Sequence, residues 1–502
     1  MLTPLAPTTD RVALLREELL RRDLVADWPA LRGHLAQEAL ARTVAQPQAQ
    51  RIAAVLDSVF HGIRVEIRPH ELLVGSRGAV GYPEIDDAVS RGSAEYPYMI
   101  ADFDTLLEIG AAGVIARAEA RLRPLDEANP DEMASVHFLR SVISACTAMI
   151  SWAERYAEEA ERQAAVEADP LRRVELVDIA ARCRRVPAQP AQSFTDALQS
   201  VWFLYVALYI ETPAASCLGR LDQYLFPYYQ RDLACGALTR EGAKELLCCL
   251  WLKLYENVQG FIASHAQTIT LGGLLPNGAS GVNALSFLCI DVAAAMGNVG
   301  AQIAIRWHEA QDPALLTAAF QLAAHQAIMP QLFNDHTYLT ALERLGVPFA
   351  DASQFALFGC HEPVISGMGY QRPASWPGYV SFYDWLQHAL GLVAEGIPPQ
   401  LRVVTAPPAT ADELWQRWLA AMHDGVRRAV ISANYGDKMK CELLPRPLMS
   451  AFLKDCIANG ADLTAGGARY NMTGFQGCGL ATAVDSFLAV AKVVFTEQQF
   501  SL

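Results

Sequence analysis

Nine consecutive residues hold the densest chemistry in this sequence: Phe355-Ala356-Leu357-Phe358-Gly359-Cys360-His361-Glu362-Pro363. An apolar run of strand length leads into Gly359, which permits a sharp turn or a close backbone approach. Pro363 is expected to block further ladder pairing. Cys360 is therefore expected at a loop tip just past a strand end, the place where α/β barrels present residues to ligands. Residues two apart on an extended chain point the same way, so Cys360 and Glu362 would share a face and His361 would point away. A thiol that gives up a hydrogen atom beside a carboxylate that takes a proton is a compact unit for elimination. The same nine residues also fit a buried filler cysteine beside a structural carboxylate, and alone they leave both readings open.

The elements that must position this segment can be read from periodicity. Residues 1 to about 190 read as mostly helical, with apolar residues at helical spacing over 105–122 and 138–168. From about 190 onward, helical patterns at 240–255, 312–328 and 410–433 alternate with short apolar runs at 268–271, 301–307, 331–333 and 355–358. Asp312-Pro313 suits an N-cap and first turn, and Thr410-Ala411-Asp412-Glu413 is a capping-box pattern. Alternating strands and helices argue for an α/β fold, a closed barrel with a helical N-terminal region. The division expected is 1–190 for that region and 191–502 for the barrel.

Composition narrows the class further. The 502 residues are 52% hydrophobic, enough for a large core. Acidic residues outnumber basic ones 54 to 40, a net charge of −14, which opposes nonspecific nucleic-acid binding and contact with anionic membranes. Glu17, Glu18 and Asp23 interrupt any signal-peptide core, and the longest apolar stretches, such as 201–210, are too short to span a bilayer, so a cytoplasmic protein is expected. The 11 cysteines form no C-x-x-C pair, so no metal or Fe–S site is expected, and most should be reduced, buried thiols. No Ser-His-Asp pattern, phosphate-cradling loop or dinucleotide fingerprint stands out.

Gly359-Cys360-x-Glu362-Pro363 resembles the active-site loop of the glycyl radical enzymes, the pyruvate formate-lyase-like family, in its eliminase branch. Other segments agree in order: Ile67-Arg68-Pro69-His70-Glu71-Leu72-Leu73-Val74-Gly75, Arg155-Tyr156, Val186-Pro187-Ala188-Gln189-Pro190, Leu218-Gly219-Arg220-Leu221-Asp222-Gln223-Tyr224, Thr270-Leu271-Gly272-Gly273 and Phe333-Asn334-Asp335. The most specific is Gly466-Gly467-Ala468-Arg469-Tyr470-Asn471-Met472-Thr473-Gly474 through Ala483-Val484-Asp485-Ser486. The resemblance implies a ten-stranded α/β barrel with the cysteine loop in its lumen. It also implies a lyase mechanism in which Cys360 becomes a thiyl radical and abstracts a substrate hydrogen while Glu362 acts as the base. Pyruvate formate-lyase itself carries two adjacent cysteines and no such glutamate. The adjacent pair here, Cys248-Cys249, lies in a helical pattern and reads as packing. Dehydration, C–N cleavage or a similar elimination from a small polar substrate is therefore favoured over cleavage of pyruvate, with decarboxylation still open.

The sequence departs from the family pattern in three places. Family members end in an Arg-Val-x-Gly-Tyr-type loop that stores the radical, and no such sequence occurs in these 502 residues. The expectation is a barrel subunit that lacks the glycine-radical domain and binds no cofactor itself. The radical would come from a small glycyl-radical protein after activation by a radical-SAM enzyme. The alternatives are a radical-free lyase using Cys360 and Glu362 in polar catalysis, a non-catalytic binding homologue, or an unnatural stop. His361 stands where the family has a small apolar residue, and its charge can change near neutral pH. Tyr98 occupies the place of a dehydratase histidine that helps bind substrate, keeping a hydroxyl but losing the imidazole. Arg306, Glu211 and Asn471 complete the expected substrate-binding set, each also readable as structural, and a homodimer is expected from the family.

Overall fold

A computed structural model describes residues 8–21, 28–77, 98–212, 216–258, 267–297, 299–325, 330–359, 362–373, 379–392 and 406–502. The strands in chain order are β1 (Tyr98–Met99), β2 (Thr268–Gly272), β3 (Gln302–Trp307), β4 (Gln331–Asn334), β5 (Phe355–Phe358), β6 (Glu362–Ile365), β7 (Gly369–Pro373), β8 (Tyr379–Ser381), β9 (Tyr470–Gly474) and β10 (Gln476–Cys478). Two compact units emerge: Met1–Gly92, Tyr96–Gln371 and Cys441–Asn471 form one; Ser93–Glu95, Arg372–Lys440 and Met472–Leu502 form the other. The N-terminal helices and the strands from β1 to β6 fall in the same unit.

The N-terminal part is helical, as its periodicity predicts. Gln48–Gly62, Phe103–Leu122, Met133–Val166 and Pro170–Arg185 pack on one another. By length and composition Met133–Val166 is apolar enough to cross a membrane, which the reading of short apolar runs missed; half of its most apolar window is buried. Met149, Trp152 and Tyr156 from this helix are inside the core. The helix Phe194–Glu211 is apolar on all sides and buried along its length, the pattern expected of a helix enclosed by others. Ser193 caps it by accepting from Asp196 N at 3.0 Å.

One glycine decides a crossing in this part. Gly110, with φ 66° and ψ 173°, breaks the helix Phe103–Leu122 and frees two amides. Ala111 N and Ala112 N donate instead to Pro187 O (2.8 Å) and Ala188 O (2.9 Å). A Cβ on Gly110 would lie 2.2 Å from Ala188 O, and that backbone region belongs essentially to glycine. Gly110→Ala should therefore cost at least about 1–3 kcal/mol, read as a lowered urea midpoint.

The parallel ladder β2-β3-β4 realises three of the short runs, with Ile269 opposite Ile303 and Ile305 opposite Leu332. The connecting helices Ala284–Met296 and Pro313–His325 fit the expected α/β alternation. The predicted caps are present: Asp312 accepts from Ala314 N at 2.8 Å and Thr410 from Glu413 N at 3.1 Å, although Glu413 reaches back to Ala409 N rather than to Thr410. In the second unit, β8 and β10 pair in parallel, and Leu386, Leu414, Trp418 and Ala483 form a small core.

Candidate active site

The site is built on a hairpin. β5 and β6 pair antiparallel, with Phe358 opposite Glu362 and Leu357 opposite Pro363. The connection 359–361 opens with Gly359 at φ 61°, the left-handed turn that a glycine at this place predicts. Cys360 and His361, and with them the shared face expected for Cys360 and Glu362, lie outside the described residues. Pro363 does not end the ladder as expected: pairing continues through Val364 and Ile365. β6 is an edge strand of a two-stranded ladder, where a nitrogen without a hydrogen is tolerated.

Two threonines of β2 fix the hairpin. Thr268 Oγ1 donates to Gly359 O at 2.8 Å, and Thr270 Oγ1 accepts from Leu357 N at 2.9 Å. Residues two apart on a strand share a face, so Thr-x-Thr within Thr268–Gly272 was a legible signal that periodicity alone did not single out. Glu362, 6% exposed, follows at the start of β6. Its carboxylate is close enough to raise the Tyr338 hydroxyl further, after burial has already done so. The Tyr338 ring stacks on Phe355 at 5.3 Å.

Tyr98 joins this group. Its ring stacks on Phe358 at 4.5 Å, one residue before Gly359, and β1 pairs with β7 through Tyr98 opposite Gln371. The structure thus places Tyr98 beside the hairpin that carries Glu362.

Arg306, Asn471 and Glu211 each bond to the scaffold. Arg306 is fully buried; Nε and Nη2 grip the two oxygens of Asp335 at 2.7 and 2.9 Å, and Nη1 donates to Ser353 O (2.8 Å) and Phe355 O (2.6 Å). Its guanidinium also lies 3.7 Å from the Phe355 ring centroid. These bonds agree with the structural reading of Arg306, a clamp that holds the start of β5. Asn471 is exposed and donates to Gly466 O (3.1 Å) and Ala468 O (2.7 Å), bracing the glycine-rich turn.

Glu211 is likewise tied to the scaffold. It is buried and accepts from Leu448 N (3.0 Å) and Met449 N (2.8 Å), tying the end of helix Phe194–Glu211 to the start of the short helix Pro447–Ala451. Burial pushes its carboxyl up to about 7, opposed by the charge of Arg446 and the two amides. Its ordinary value is 4.5. The folded protein therefore holds the proton longer than the unfolded chain, and this contribution to stability is full below about 4.5 and is lost as pH rises toward 7. Glu211→Gln should flatten that fall, seen as a smaller change of urea midpoint between about pH 5 and about pH 8 than in the parent.

A family model for pyruvate formate lyase-like proteins matches residues 89–502, and the chain belongs to that family. It is 27% identical over 423 residues to isethionate sulfite-lyase of Nitratidesulfovibrio vulgaris, covering 80% of this chain and 51% of that protein. It is 29% identical over 416 residues to trans-4-hydroxy-L-proline dehydratase of Clostridioides difficile, covering 80% and 52%. The chain thus spans about half the length of the curated relatives it matches. A solved structure describing 1,2-propanediol dehydration in Roseburia inulinivorans superposes with a TM-score of 0.87 at 26% identity, covering 100% of this chain and 72% of that one. The fold is accordingly the α/β barrel architecture of the glycyl radical enzymes with a helical N-terminal region.

Proposed function

We propose that this chain is the catalytic barrel of a glycyl radical lyase acting on a small polar substrate that bears a hydroxyl group. The observation that carries the reading is the hairpin: Gly359-Cys360-x-Glu362-Pro363 at its turn, anchored by Thr268 to β2, with Glu362 buried and Tyr98 against Phe358. In the proposed cycle the Cys360 thiyl takes a hydrogen atom from the substrate carbon that carries the hydroxyl; a C–H bond breaks and an S–H bond forms. Glu362 takes the hydroxyl proton, and the neighbouring group leaves with the electron pair of its bond. The product radical then recovers a hydrogen atom from Cys360, restoring the thiyl. Enclosure by the barrel protects these intermediates from water and oxygen, and Tyr98 offers its hydroxyl to the substrate.

The radical glycine of this scheme lies outside the 502 residues, and we place it on a small second protein activated by a radical-SAM enzyme in an oxygen-free cytoplasm. Support for a polypeptide partner comes from helix Leu480–Val490. It is apolar nearly all round, yet Ala483 is its one buried residue, and Leu480, Val484 and Leu488 form an exposed row at i, i+4 spacing. Exposed apolar rows of this kind commonly mark contact surfaces.

The test is electron paramagnetic resonance on protein purified anaerobically from its native host, with mass spectrometry of everything that co-purifies. A glycyl doublet, with the radical glycine mapped to a separate small chain, is expected. Mapping of that glycine to a longer form of this same polypeptide would overturn the two-chain arrangement and keep the chemistry. Turnover in air without a doublet would overturn the radical reading and leave Cys360 and Glu362 as a polar catalytic pair.

A further inference from the structure

Buried positive charge without a counter-ion gathers at the C-terminal end of helix Phe194–Glu211. Arg77 is 9% exposed; its guanidinium lies 5.9 Å from the Tyr209 ring centroid, and its Nη2 donates to Asn257 O. Arg32 is 4% exposed, and its Nη2 donates to Ile210 O. Neither guanidinium has a carboxylate partner among the described residues, and the Nε of each is buried with no acceptor. Asn257, also 4% exposed, leaves both its amide nitrogen and its amide oxygen without a partner. Buried charges are ordinarily paired and buried amides hydrogen-bonded, so three side chains at one helix end break that rule together.

The space that goes with them is a cavity of about 210 Å³ lined by Ser76, Arg77, Trp202, Lys253, Glu256 and Asn257. Its wall is fixed: Gln199 Nε2 donates to Val74 O at 2.7 Å, Trp202 Nε1 to Gly75 O at 2.9 Å, and Ser76 N to the Tyr156 hydroxyl at 2.9 Å. The neighbouring charges cancel. Lys253 pairs with Glu71 at 2.5 Å and Glu256 at 3.3 Å, and Arg68 pairs with Glu256. Two cations thus face two carboxylates, and Arg77 is left as the uncompensated charge of the cavity. Burial pulls Arg77 down to about 10, opposed by Tyr209 and Tyr205. Burial also pulls Arg32 down to about 9, and the charge of Arg77 adds to that effect. Both guanidiniums stay protonated near neutral pH. We propose that this cavity binds one small oxyanion, held by the Arg77 guanidinium and the Asn257 amide nitrogen. A guanidinium offers N–H donors in a fork that matches two oxygens of a carboxylate, sulfonate or phosphate. A volume about seven times the ~30 Å³ share of a water leaves room for an inorganic anion or a short-chain acid and excludes a nucleotide. The site is independent of the radical chemistry, since no residue of the hairpin takes part in it.

Thermal unfolding of the purified chain in inorganic phosphate, inorganic sulfate and glycolate, each against sodium chloride of equal ionic strength, tests the site. A ligand that binds only the folded state raises the midpoint with the logarithm of its concentration, and such a rise is expected. Arg77→Gln should weaken the binding read by isothermal titration by about tenfold to a hundredfold, the loss of one charged hydrogen-bond donor. Asn257→Asp gives a readout that a purely structural asparagine would not. A carboxylate at that place supplies the missing counter-charge, so the variant should unfold at a higher midpoint than the parent with no anion added and should no longer respond to one. A response to phosphate or sulfate identifies a free inorganic anion as the ligand, and a response to glycolate alone identifies the acid group of an organic compound. No response to any of the three overturns the site and means that Arg77 is compensated within the chain. A response of equal size in parent and variants overturns it too, because the anion then binds elsewhere. If Arg77→Gln fails to fold, Asn257→Asp decides.

Discussion

Glu362→Gln is expected to lower turnover by roughly a hundredfold to ten-thousandfold, the range over which a positioned acid–base group contributes, while the amount of glycyl radical formed stays unchanged. Glutamine keeps the length and planarity of the side chain and still accepts hydrogen bonds, but it cannot take a proton. Glu362 is 6% exposed at the start of β6, so bulk water cannot readily replace it as the base. The loss should fall on kcat more than on KM, because the missing interaction is made with a hydroxyl that becomes acidic only after the hydrogen atom has gone. Measuring kcat per spin, from the doublet intensity and product formation in the same sample, separates this effect from failed activation. A variant within tenfold of the parent would remove Glu362 from the proton transfer.

How much of this site could be read in advance depends on sequence distance. The strand before Gly359, the positive φ at Gly359 and the ladder partners β2, β3 and β4 follow from local patterns of apolar residues and glycine, and the structure has them. The stack of Tyr98 on Phe358 joins residues far apart in the chain, and no local pattern marks it. Roles that depend on a distant partner were not legible. Arg306 looks like an anion-binding residue at a strand end until Asp335, on the far side of the intervening helix Pro313–His325, is seen to occupy it. Glu211 looks like a lumen-facing carboxylate until Leu448 and Met449, more than two hundred residues later, supply its two amides. Pro363 misled for a related reason: whether a proline ends a ladder depends on which side of its strand has a partner, and that is a property of the sheet.

Asp335→Ala should be the most destabilising single change near the site, costing about 3–5 kcal/mol, the usual result of stripping one partner from a buried ion pair. Both side chains of the pair are fully buried, so the guanidinium of Arg306 would face neither carboxylate nor water. The same substitution removes the acceptor for Leu274 N, now bound at 2.7 Å. Replacing both partners together, as in Arg306→Met with Asp335→Leu, should recover much of the loss, because apolar groups of similar volume carry no desolvation debt. The recovery should not extend to the hairpin. Arg306 Nη1 holds Ser353 O and Phe355 O, the carbonyls at the entry to β5, and methionine offers no donor to replace it. The double variant should therefore regain its urea midpoint yet show faster amide hydrogen exchange over Phe355–Phe358, and with it a lower kcat. Stability that returns together with full activity would mean that the ion pair only fills space. Stability that returns without activity would mean that this buried charge is retained to aim the strand that ends at Gly359.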